Sequence, residues 1–247
     1  MSLSQRARNE IEHSKGLAAL DTESVWGWGI PAGRLRAEKR SALIIEGANL
    51  MAGQRVLEIG CGTGNFTEIF ARTGAQIVAV DISPDLLEKA LARGLPAGQV
   101  QFIQQRFEDC DANGSFDAVI GSSILHHLDI QLAFSKIFDL LKPGGRLSFG
   151  EPNMLNPQVF LERRFYFIKP LFGYVSPDET AFLRWSLRTQ MMDFGFENVE
   201  IKPLDWLHPL VPSALIGLVT GVEKQLEKTP IFREFAGSLY IRARRPL

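Results

Sequence analysis

A glycine-rich turn is the part of this sequence whose residue types and spacing point most directly to chemistry. Residues 56–60 form an apolar run typical of a buried strand, Gly62 and Gly64 follow Gly60 at alternate positions, and a helical run containing Phe66 comes next. Glycines let the backbone turn tightly and approach a ligand without an intervening Cβ atom. A plain tight turn needs the same residues, so a ligand is favoured only if a second feature agrees.

Asp81 supplies that second feature. It stands at the end of the next predicted strand, 21 residues after Gly60, where a carboxylate can accept hydrogen bonds from ribose hydroxyls. The two features predict a nucleoside-containing ligand, either a dinucleotide or S-adenosylmethionine. A dinucleotide fingerprint has the spacing G-x-G-x-x-G, whereas this loop reads Glu-x-Gly-x-Gly-x-Gly with Glu58 inside the strand. The Glu58 carboxylate suits a cationic ligand better than a pyrophosphate, and bracing of the loop is an equally good interpretation of this side chain.

The elements that must position these residues alternate between β-type and helical runs. This alternation predicts parallel βαβ units with helices on both faces of one sheet. Five parallel strands are predicted, and two later runs would complete the sheet. The predicted strands are Arg55–Gly60, Gln76–Asp81, Val100–Gln105, Phe116–Ser122, Arg146–Glu151, a sixth near Asn198–Pro203 and a seventh near Ser238–Arg244.

Helix boundaries can be predicted from capping residues. Ser83, followed by proline, caps one helix, and Asp129 caps another that Pro143-Gly144-Gly145 stops. Ser176-Pro177-Asp178-Glu179 has the pattern of a capping box, which predicts a helix opening there and closed by Gly195. These helices would separate the strands and cover the sheet.

Four segments together resemble the class I, or Rossmann-like, methyltransferase family. They are VLEIGCGTGNFT (Val56–Thr67), VAVDIS (Val78–Ser83), FDAVIGSSILHHL (Phe116–Leu128) and LKPGGRLSFGEP (Leu141–Pro152). The resemblance implies a doubly wound α/β fold with seven strands in the order 3-2-1-4-5-7-6, the seventh antiparallel. It also implies S-adenosylmethionine as cofactor, bound across the carboxyl ends of the strands, and S-adenosylhomocysteine as product.

The resemblance also implies which residues contact the cofactor. The methionine part would lie against Gly60, Cys61 and Gly62, the ribose on Asp81, the adenine against Ile82, and the reactive end near Gly121 and Ser122. Cys61 is then interpreted as a small packing residue rather than a nucleophile.

The segment after the third predicted strand departs from the family pattern. Members often carry Asp-Ala there, with the aspartate holding the adenine amino group, but this chain has Arg106 followed by Phe107 and Glu108. A guanidinium has no hydrogen-bond acceptor, so Arg106 cannot replace the aspartate. Phe107 and Glu108 are the predicted adenine contacts instead, and Asp109 is the alternative to Glu108 as the replacement carboxylate.

For methyl transfer, the protein must align the acceptor with the methyl group and, in some enzymes, supply a base. His126 and His127 follow the fourth predicted strand and are the candidate bases, because histidine can remove a proton near neutral pH. Packing against the helix that begins near Asp129 is the alternative for either ring, and Glu151 is a second candidate base. No cluster of His, Cys and carboxylate residues has metal-ligand spacing, so no metal is predicted.

Composition limits the remaining interpretations. The 247 residues carry a formal net charge of -1, which argues against nucleic acid as a partner. Two cysteines without pairing and a polar N-terminal stretch favour the cytoplasm. One domain is predicted, in which residues 1–50 cover a cofactor-binding core at 51–151, and two further segments form a substrate lid. These lid segments are 152–177 and 205–236.

The predicted acceptor is a small, apolar or lipid-like molecule. Residues 160–169 interleave basic and aromatic side chains, and residues 215–222 are apolar enough to line a pocket or to touch a bilayer surface. The sequence Gly121-Ser122-Ser123-Ile124 replaces the Asn-Pro-Pro-Tyr-type tetrapeptide of enzymes that methylate base amino groups, which again disfavours nucleic acid. The alternatives are a non-catalytic cofactor-binding module and a nicotinamide-dependent oxidoreductase. The sequence predicts no particular oligomeric state.

Overall fold

A single seven-stranded sheet organises the chain in the computed structural model, which describes residues 5–110, 115–164 and 180–247. Its order is β3-β2-β1-β4-β5-β7-β6; β7 is antiparallel to both of its neighbours, and the pairs from β3 to β5 are parallel. The fold class and strand order expected from the resemblance are confirmed. The strands are β1 Arg55–Ile59, β2 Gln76–Asp81, β3 Val100–Gln104, β4 Phe116–Ser122, β5 Leu141–Pro152, β6 Glu197–Leu204 and β7 Ser238–Arg244.

Helices flank both faces of this sheet because neighbouring strand residues point in opposite directions. Leu57 packs on the face that carries α6 and α8, whereas Val56 packs on the face that carries α3 and α4. No helix in the described parts of the chain is both long and apolar enough to cross a membrane. The helices are α1 Gln5–Ala18, α2 Thr22–Val25, α3 Pro31–Ala48, α4 Asn65–Ala71, α5 Pro84–Leu91, α6 Ile130–Leu140, α7 Pro157–Arg164, α8 Arg184–Asp193 and α9 Ile216–Lys228.

Two of the predicted helix caps are present. The Ser83 hydroxyl accepts a hydrogen bond from the Leu86 backbone N–H, and the Asp129 carboxylate accepts from the backbone N–H groups of Gln131 and Leu132. The helix after Asp129 ends at Leu140, before the Pro-Gly-Gly turn, as predicted. Strand β5 begins earlier than predicted, because Leu141 already pairs with β4.

The predicted start of the helix now labelled α8 is wrong. Residues 176–179 lie outside the described residues, but residues 180–183 are not helical and the helix begins at Arg184. The reason is tertiary: Phe182 forms a bridge with Asn153, donating its N–H to Pro152 and accepting from Met154. A segment whose backbone bonds to the end of β5 cannot also form the first turn of a helix.

Candidate functional site

A cavity of about 300 Å³ opens at the carboxyl ends of β1, β2 and β4. Ten of the twelve predicted site residues line it, together with side chains of α1 that the sequence did not single out. Glu58 and Gly121 do not line it. The predicted residues at the cavity wall are Gly60, Cys61, Gly62, Asp81, Ile82, Phe107, Glu108, Ser122, His126 and His127.

The glycine loop forms one wall by using backbone conformations that other residues rarely adopt. Gly60, Gly62 and Gly64 have φ angles of 66°, 51° and 74°. A Cβ atom on Gly60 would also overlap the Ile124 side chain. The Gly60 N–H donates to the Val80 carbonyl at 2.8 Å, which fixes the loop on β2. Glycine is therefore required at the first of these positions for both conformation and space.

Asp81 is fixed at the end of β2 by two backbone donors. Its carboxylate accepts from the Gly62 N–H at 2.8 Å and from the Ser83 N–H at 2.9 Å. Withdrawal from bulk water raises the Asp81 pKa, although both hydrogen bonds oppose that rise. Two carboxylate oxygens provide about four acceptor sites, so this side chain can hold the loop and still accept from a ligand hydroxyl.

Glu58 and Cys61 lie beside the loop in an environment that disfavours charge. Burial, reinforced by the negative charge of Asp81, raises the pKa of Glu58 to about 8. Burial also raises the pKa of the Cys61 thiol well above its ordinary value. A neutral Glu58 away from the cavity agrees with the loop-bracing interpretation, and a protonated thiol agrees with packing.

Gly121 is set into the sheet beneath the cavity. A Cβ atom there would come within 2.7 Å of Ile124, 2.8 Å of Phe149 and 2.9 Å of the Ile59 carbonyl oxygen. The absence of a side chain therefore lets β4 approach its neighbours closely.

The wall formed by the segment after β3 contains both predicted adenine contacts. Phe107 is buried, with the Lys136 ammonium 5.8 Å from its ring centroid. Glu108 reaches the cavity beside Arg106, and their side chains are 3.6 Å apart. Arg106 thus sits at the position where the family pattern has an acidic residue, and a neighbouring carboxylate partly offsets its charge.

The two histidines have different environments. The His126 ring is only 3% exposed, and its Nδ1 lies 2.7 Å from Glu151 Oε2. Glu151 also accepts from the backbone N–H groups of Ile124 and Leu125 at 2.9 Å. Burial alone would raise the Glu151 pKa, but the hydrogen bonds and positive charge of His126, with those backbone donors, hold it below its usual range. His126 and Glu151 therefore fix the turn after β4.

His127 faces the cavity with 21% of its side chain exposed. Its Nδ1 lies 3.0 Å from Glu10 Oε2 on α1, and its ring centroid is 4.2 Å from that of His126. The guanidinium of Arg6, also on α1, donates to the His126 carbonyl at 2.8 Å. Helix α1 therefore covers the cavity and brings a carboxylate to the histidine that lines it.

A buried ion network lies behind the part of the cavity wall that Trp28 forms. Two guanidinium groups lie over the Trp28 ring, that of Arg36 at 5.1 Å and that of Arg40 at 5.0 Å from its centroid. Asp205, at the end of β6, accepts from Arg36 Nε at 2.9 and 2.8 Å and lies 3.7 Å from Arg40. Burial would raise the Asp205 pKa, but these cations hold it below its ordinary value.

The same network joins α3 to α9. The Lys39 ammonium binds Glu223 at 2.9 Å and Glu227 at 2.7 Å, and Asp205 itself has a φ of 81°. Glu227 also accepts from the Asp205 backbone N–H at 3.2 Å. The segment after β6 is thereby held against the helix that precedes β1.

Sequence reasoning missed the contributions of α1, α3 and α7. Glu10, Arg40 and Arg163 are charged residues on helices without a recognisable motif, yet each is at or directly behind the cavity. The available signal was the spacing of Arg36 and Arg40, which places both on one face of a helix. Within the described ranges, no group of three or more His, Cys, Asp or Glu side chains is arranged to hold a metal ion.

The central part of the chain is similar to a family of known proteins. Residues 56–145 match the family described as "Methyltransferase domain". A ubiquinone biosynthesis O-methyltransferase of Xanthomonas oryzae pv. oryzae (strain PXO99A) is 44% identical over 101 residues, which are 39% of this chain and 42% of that protein. The corresponding protein of Xanthomonas campestris pv. campestris (strain B100) is 43% identical over 101 residues, with the same coverage. The chain thus spans less than half the length of the curated relatives it matches.

Solved structures are similar in fold over almost the whole chain. The N-methyltransferase NodS of Bradyrhizobium japonicum WM9, in complex with S-adenosylhomocysteine, has a TM-score of 0.66 at 18% identity and covers 97% of this chain and 100% of its own. The [4+2]-cyclase SpnF has a TM-score of 0.67 at 19% identity, over 100% of this chain and 98% of its own. Because one of these proteins is named for another reaction, the shared fold alone does not identify the chemistry.

Proposed function

Since residues 56–145 are a class I, S-adenosylmethionine-dependent methyltransferase domain, we propose that this chain transfers a methyl group to an oxygen atom of a small, apolar acceptor. The observation that carries the proposal is one cavity in which the glycine loop and Asp81 meet an apolar wall. The name of the curated relatives, O-methyltransferase, supports oxygen as the atom methylated. S-adenosylhomocysteine would be the second product.

The residues present suit S-adenosylmethionine. Gly60 and Gly62 leave room for close approach, Asp81 offers carboxylate oxygens to the ribose, and Ile82 and Phe107 offer apolar surface to the adenine. When bound, the cofactor supplies a methyl group on a sulfonium, so the protein needs to supply alignment and exclusion of water. Helix α1 provides cover over the cavity for that purpose.

The rest of the cavity wall supports an apolar acceptor. Leu17, Trp26, Trp28, Phe66 and Leu128 line it beyond the glycine loop. Ligand sites of this kind combine a mostly apolar wall with a few polar groups that fix orientation. A flat, partly aromatic molecule with a hydroxyl group would satisfy both.

His127 is the proposed base for the acceptor hydroxyl. It lines the cavity, whereas His126 is held by Glu151 and acts as a positioning residue for the turn. Glu10 Oε2 lies 3.0 Å from His127 Nδ1 and joins this ring to α1. Histidine can remove a proton near neutral pH, which suits the proposed role. In-line transfer then needs the acceptor oxygen and the methyl carbon to be aligned.

The segment after β6 supports access from a membrane surface. Helix α9 presents Leu218 and Val222 to solvent, and Lys224 and Lys228 of the same helix are also exposed, while its glutamates contact Lys39 on α3. Exposed apolar residues and lysines on one helix suit peripheral contact with an anionic bilayer, from which an apolar acceptor could be taken. The proposed partners are therefore a small molecule and a lipid surface, and not nucleic acid. Two buried free cysteines suit the reducing cytoplasm.

The proposed reaction can be tested with a series of catechols that carry alkyl chains of increasing length. We expect mass spectrometry to detect S-adenosylhomocysteine and the methyl ether in equal amounts, with yield rising as the chain lengthens. Asp81→Ala serves as a control that weakens cofactor binding without changing the acceptor wall. Cofactor binding without turnover of any member of the series would favour the non-catalytic module instead.

A further inference from the structure

Arg106 and Glu108 bring a guanidinium and a carboxylate to the cavity wall that follows β3. Both residues line the cavity, and their side chains are 18% and 24% exposed. The Arg106 Nε lies 3.6 Å from Glu108 Oε2, and its Nη1 lies 3.4 Å from Asp109 Oδ2. A charged donor and a charged acceptor therefore stand side by side at this wall.

The hydrogen-bonding capacity of these two side chains is not used by the protein. A separation of 3.6 Å is too long for a hydrogen bond, so Arg106 and Glu108 attract each other only as charges. In the part of the chain that the structure describes, neither the Arg106 guanidinium nor the Glu108 carboxylate takes part in a hydrogen bond. A guanidinium has five N–H donors and a carboxylate has about four acceptor sites, so both groups can bind a ligand.

The position of this segment is fixed relative to the proposed ribose ligand. Asp81 pairs with Gln104 in the sheet, and the Gln105 N–H donates to the Asp81 carbonyl at 2.9 Å. Ile82 lines the cavity directly after Asp81. A base attached to a ribose on Asp81 and lying over Ile82 would turn its outer edge toward residues 106–108.

The backbone of the turn is held by contacts that leave both charged side chains in place. The Asp109 N–H donates to the Arg106 carbonyl at 3.1 Å, and the Lys136 ammonium donates to the Glu108 carbonyl at 2.7 Å. The same ammonium lies 5.8 Å from the centroid of the buried Phe107 ring. A donor and an acceptor on a turn braced in this way are arranged before a ligand arrives, which lowers the cost of binding.

The outer edge of adenine presents the complementary pattern. Its exocyclic amino group is a donor, and the neighbouring ring nitrogen N1 is an acceptor. A carboxylate can accept from the amino group while a guanidinium donates to N1. Hypoxanthine has the reverse pattern, with a carbonyl oxygen in place of the amino group and an N–H at N1. It would set two acceptors and two donors against each other.

We propose that Arg106 and Glu108 together select adenine as the base of the cofactor, with Arg106 donating to N1 and Glu108 accepting from the amino group. The inference rests on the proposed function, which supplies an adenine-containing cofactor. An ionised aspartate at the position of Arg106, as in the family pattern, could accept from the amino group but could not donate to N1. The arginine thus transfers the acceptor role to Glu108 and adds a charged donor beside it.

Calorimetric titration with S-adenosylhomocysteine and S-inosylhomocysteine tests this selection, because the two ligands differ only at the outer edge of the base. The proteins are the wild type, Arg106→Met and Glu108→Gln. Asp109→Asn is the matched control, since its carboxylate also pairs with Arg106 but the residue does not line the cavity. Thermal unfolding verifies that each variant is folded.

We expect the wild type to bind S-adenosylhomocysteine roughly tenfold or more tightly than S-inosylhomocysteine. Arg106→Met should weaken S-adenosylhomocysteine roughly tenfold and change the inosine analogue by no more than about twofold, so that the preference is lost. Glu108→Gln should also narrow the preference, because an amide can donate to the carbonyl oxygen of hypoxanthine. Asp109→Asn should keep the wild-type preference.

A full preference for adenine in Arg106→Met would remove Arg106 from the base site, and an equal loss of both ligands would show a structural role rather than selection. A preference that narrows in Asp109→Asn but not in Glu108→Gln would contradict the role of Glu108. Equal binding of the two ligands to the wild type would overturn the selection as a whole. A wild type that binds neither ligand would instead contradict the proposed function.

Discussion

The two sides of the cavity are built by different means. On the proposed cofactor side, the glycine loop and Asp81 present backbone groups and one carboxylate within 22 residues of the chain, from 60 to 81. On the proposed acceptor side, supporting groups come from opposite ends of the chain, as in the contacts from Arg40 to Asp205 and to Ser238. The family match at residues 56–145 includes the glycine loop and Asp81 but none of these three supporting residues.

The largest expected effect comes from removing the anion of the acceptor-side network. Asp205→Ala would leave the buried guanidinium groups of Arg36 and Arg40 without their carboxylate, so the free energy of unfolding should fall by about 3–5 kcal/mol. Chemical denaturation measures this change. Glu200→Ala, which breaks partly exposed pairs with Lys202 and Arg242, is the control and should cost about 1 kcal/mol or less. If the folded Asp205→Ala protein also fails to bind S-adenosylhomocysteine, the two sides of the cavity are not independent.

Replacing Asp81 should change the affinity for the cofactor more than the stability of the fold. We expect Asp81→Ala to weaken binding of S-adenosylhomocysteine by about 1–3 kcal/mol, because hydrogen bonds to the ribose are lost and the glycine loop loses its anchor. Calorimetric titration provides the measurement, and Asp85→Ala, a nearby carboxylate on α5 outside the cavity, is the control. Equal affinity in both variants would remove Asp81 from the site.

Two buried glutamates should make the stability of the protein depend on pH in opposite directions. The pKa of Glu58 is about 8 in the folded protein against an ordinary 4.5, so folding binds a proton there, and stability should decline as pH rises from about 4.5 to 8. Glu58→Gln should remove this decline, which has a limit of about 1.4 kcal/mol per pH unit. Glu151 has a lowered pKa, and its contribution is instead lost as pH falls below the ordinary glutamate range.

Urea unfolding of the wild type and Glu58→Gln at several pH values between about 5 and 8 tests the decline in stability that is attributed to Glu58. Glu151→Gln is the matched variant and should leave the slope in that range unchanged, since its own effect lies at lower pH. A Glu58→Gln protein with the wild-type pH slope would contradict the assignment of a neutral Glu58.

Elements fixed by residues close in the sequence were predicted, whereas those fixed by contacts between distant segments were not. Strands β2 and β4 were predicted to the residue and β7 was predicted near its observed place, because short apolar runs and flanking turns specify them locally. The cap at Asp129 depends on residues within one helical turn and was also predicted. The start of α8 was not, because the pairing of Phe182 with the end of β5 is a contact between distant segments.

The site residues show the same limit. Asp81 lines the cavity as its spacing from Gly60 suggested, and whether it binds the cofactor stays a prediction. The pairing of His126 with Glu151 joins residues 25 positions apart, and that of His127 with Glu10 joins residues still further apart. A sequence pattern gives residue types and local spacing, but it does not say which distant side chains share a buried environment.

The smallest expected effect concerns the surface of α9. Leu218→Ser should change the free energy of unfolding by no more than about 0.5 kcal/mol, because the side chain is already 67% exposed. Sedimentation with phosphatidylglycerol vesicles should show binding weakened by about 1 kcal/mol if this face enters the lipid interface. Leu132→Ser on α6, where the leucine is 61% exposed, is the matched control and should leave vesicle binding unchanged. An equal loss in both variants, or no loss, would contradict the membrane contact.

The central claim, that the glycine loop and Asp81 hold a sulfonium cofactor, has one direct measurement. Calorimetric titration of the wild-type protein with S-adenosylmethionine, S-adenosylhomocysteine and NAD compares the ligands that the loop could serve. We predict micromolar or tighter binding of the first two and no detectable binding of NAD. Binding of NAD alone would contradict the assignment of the cofactor, and with it the proposed methyl transfer.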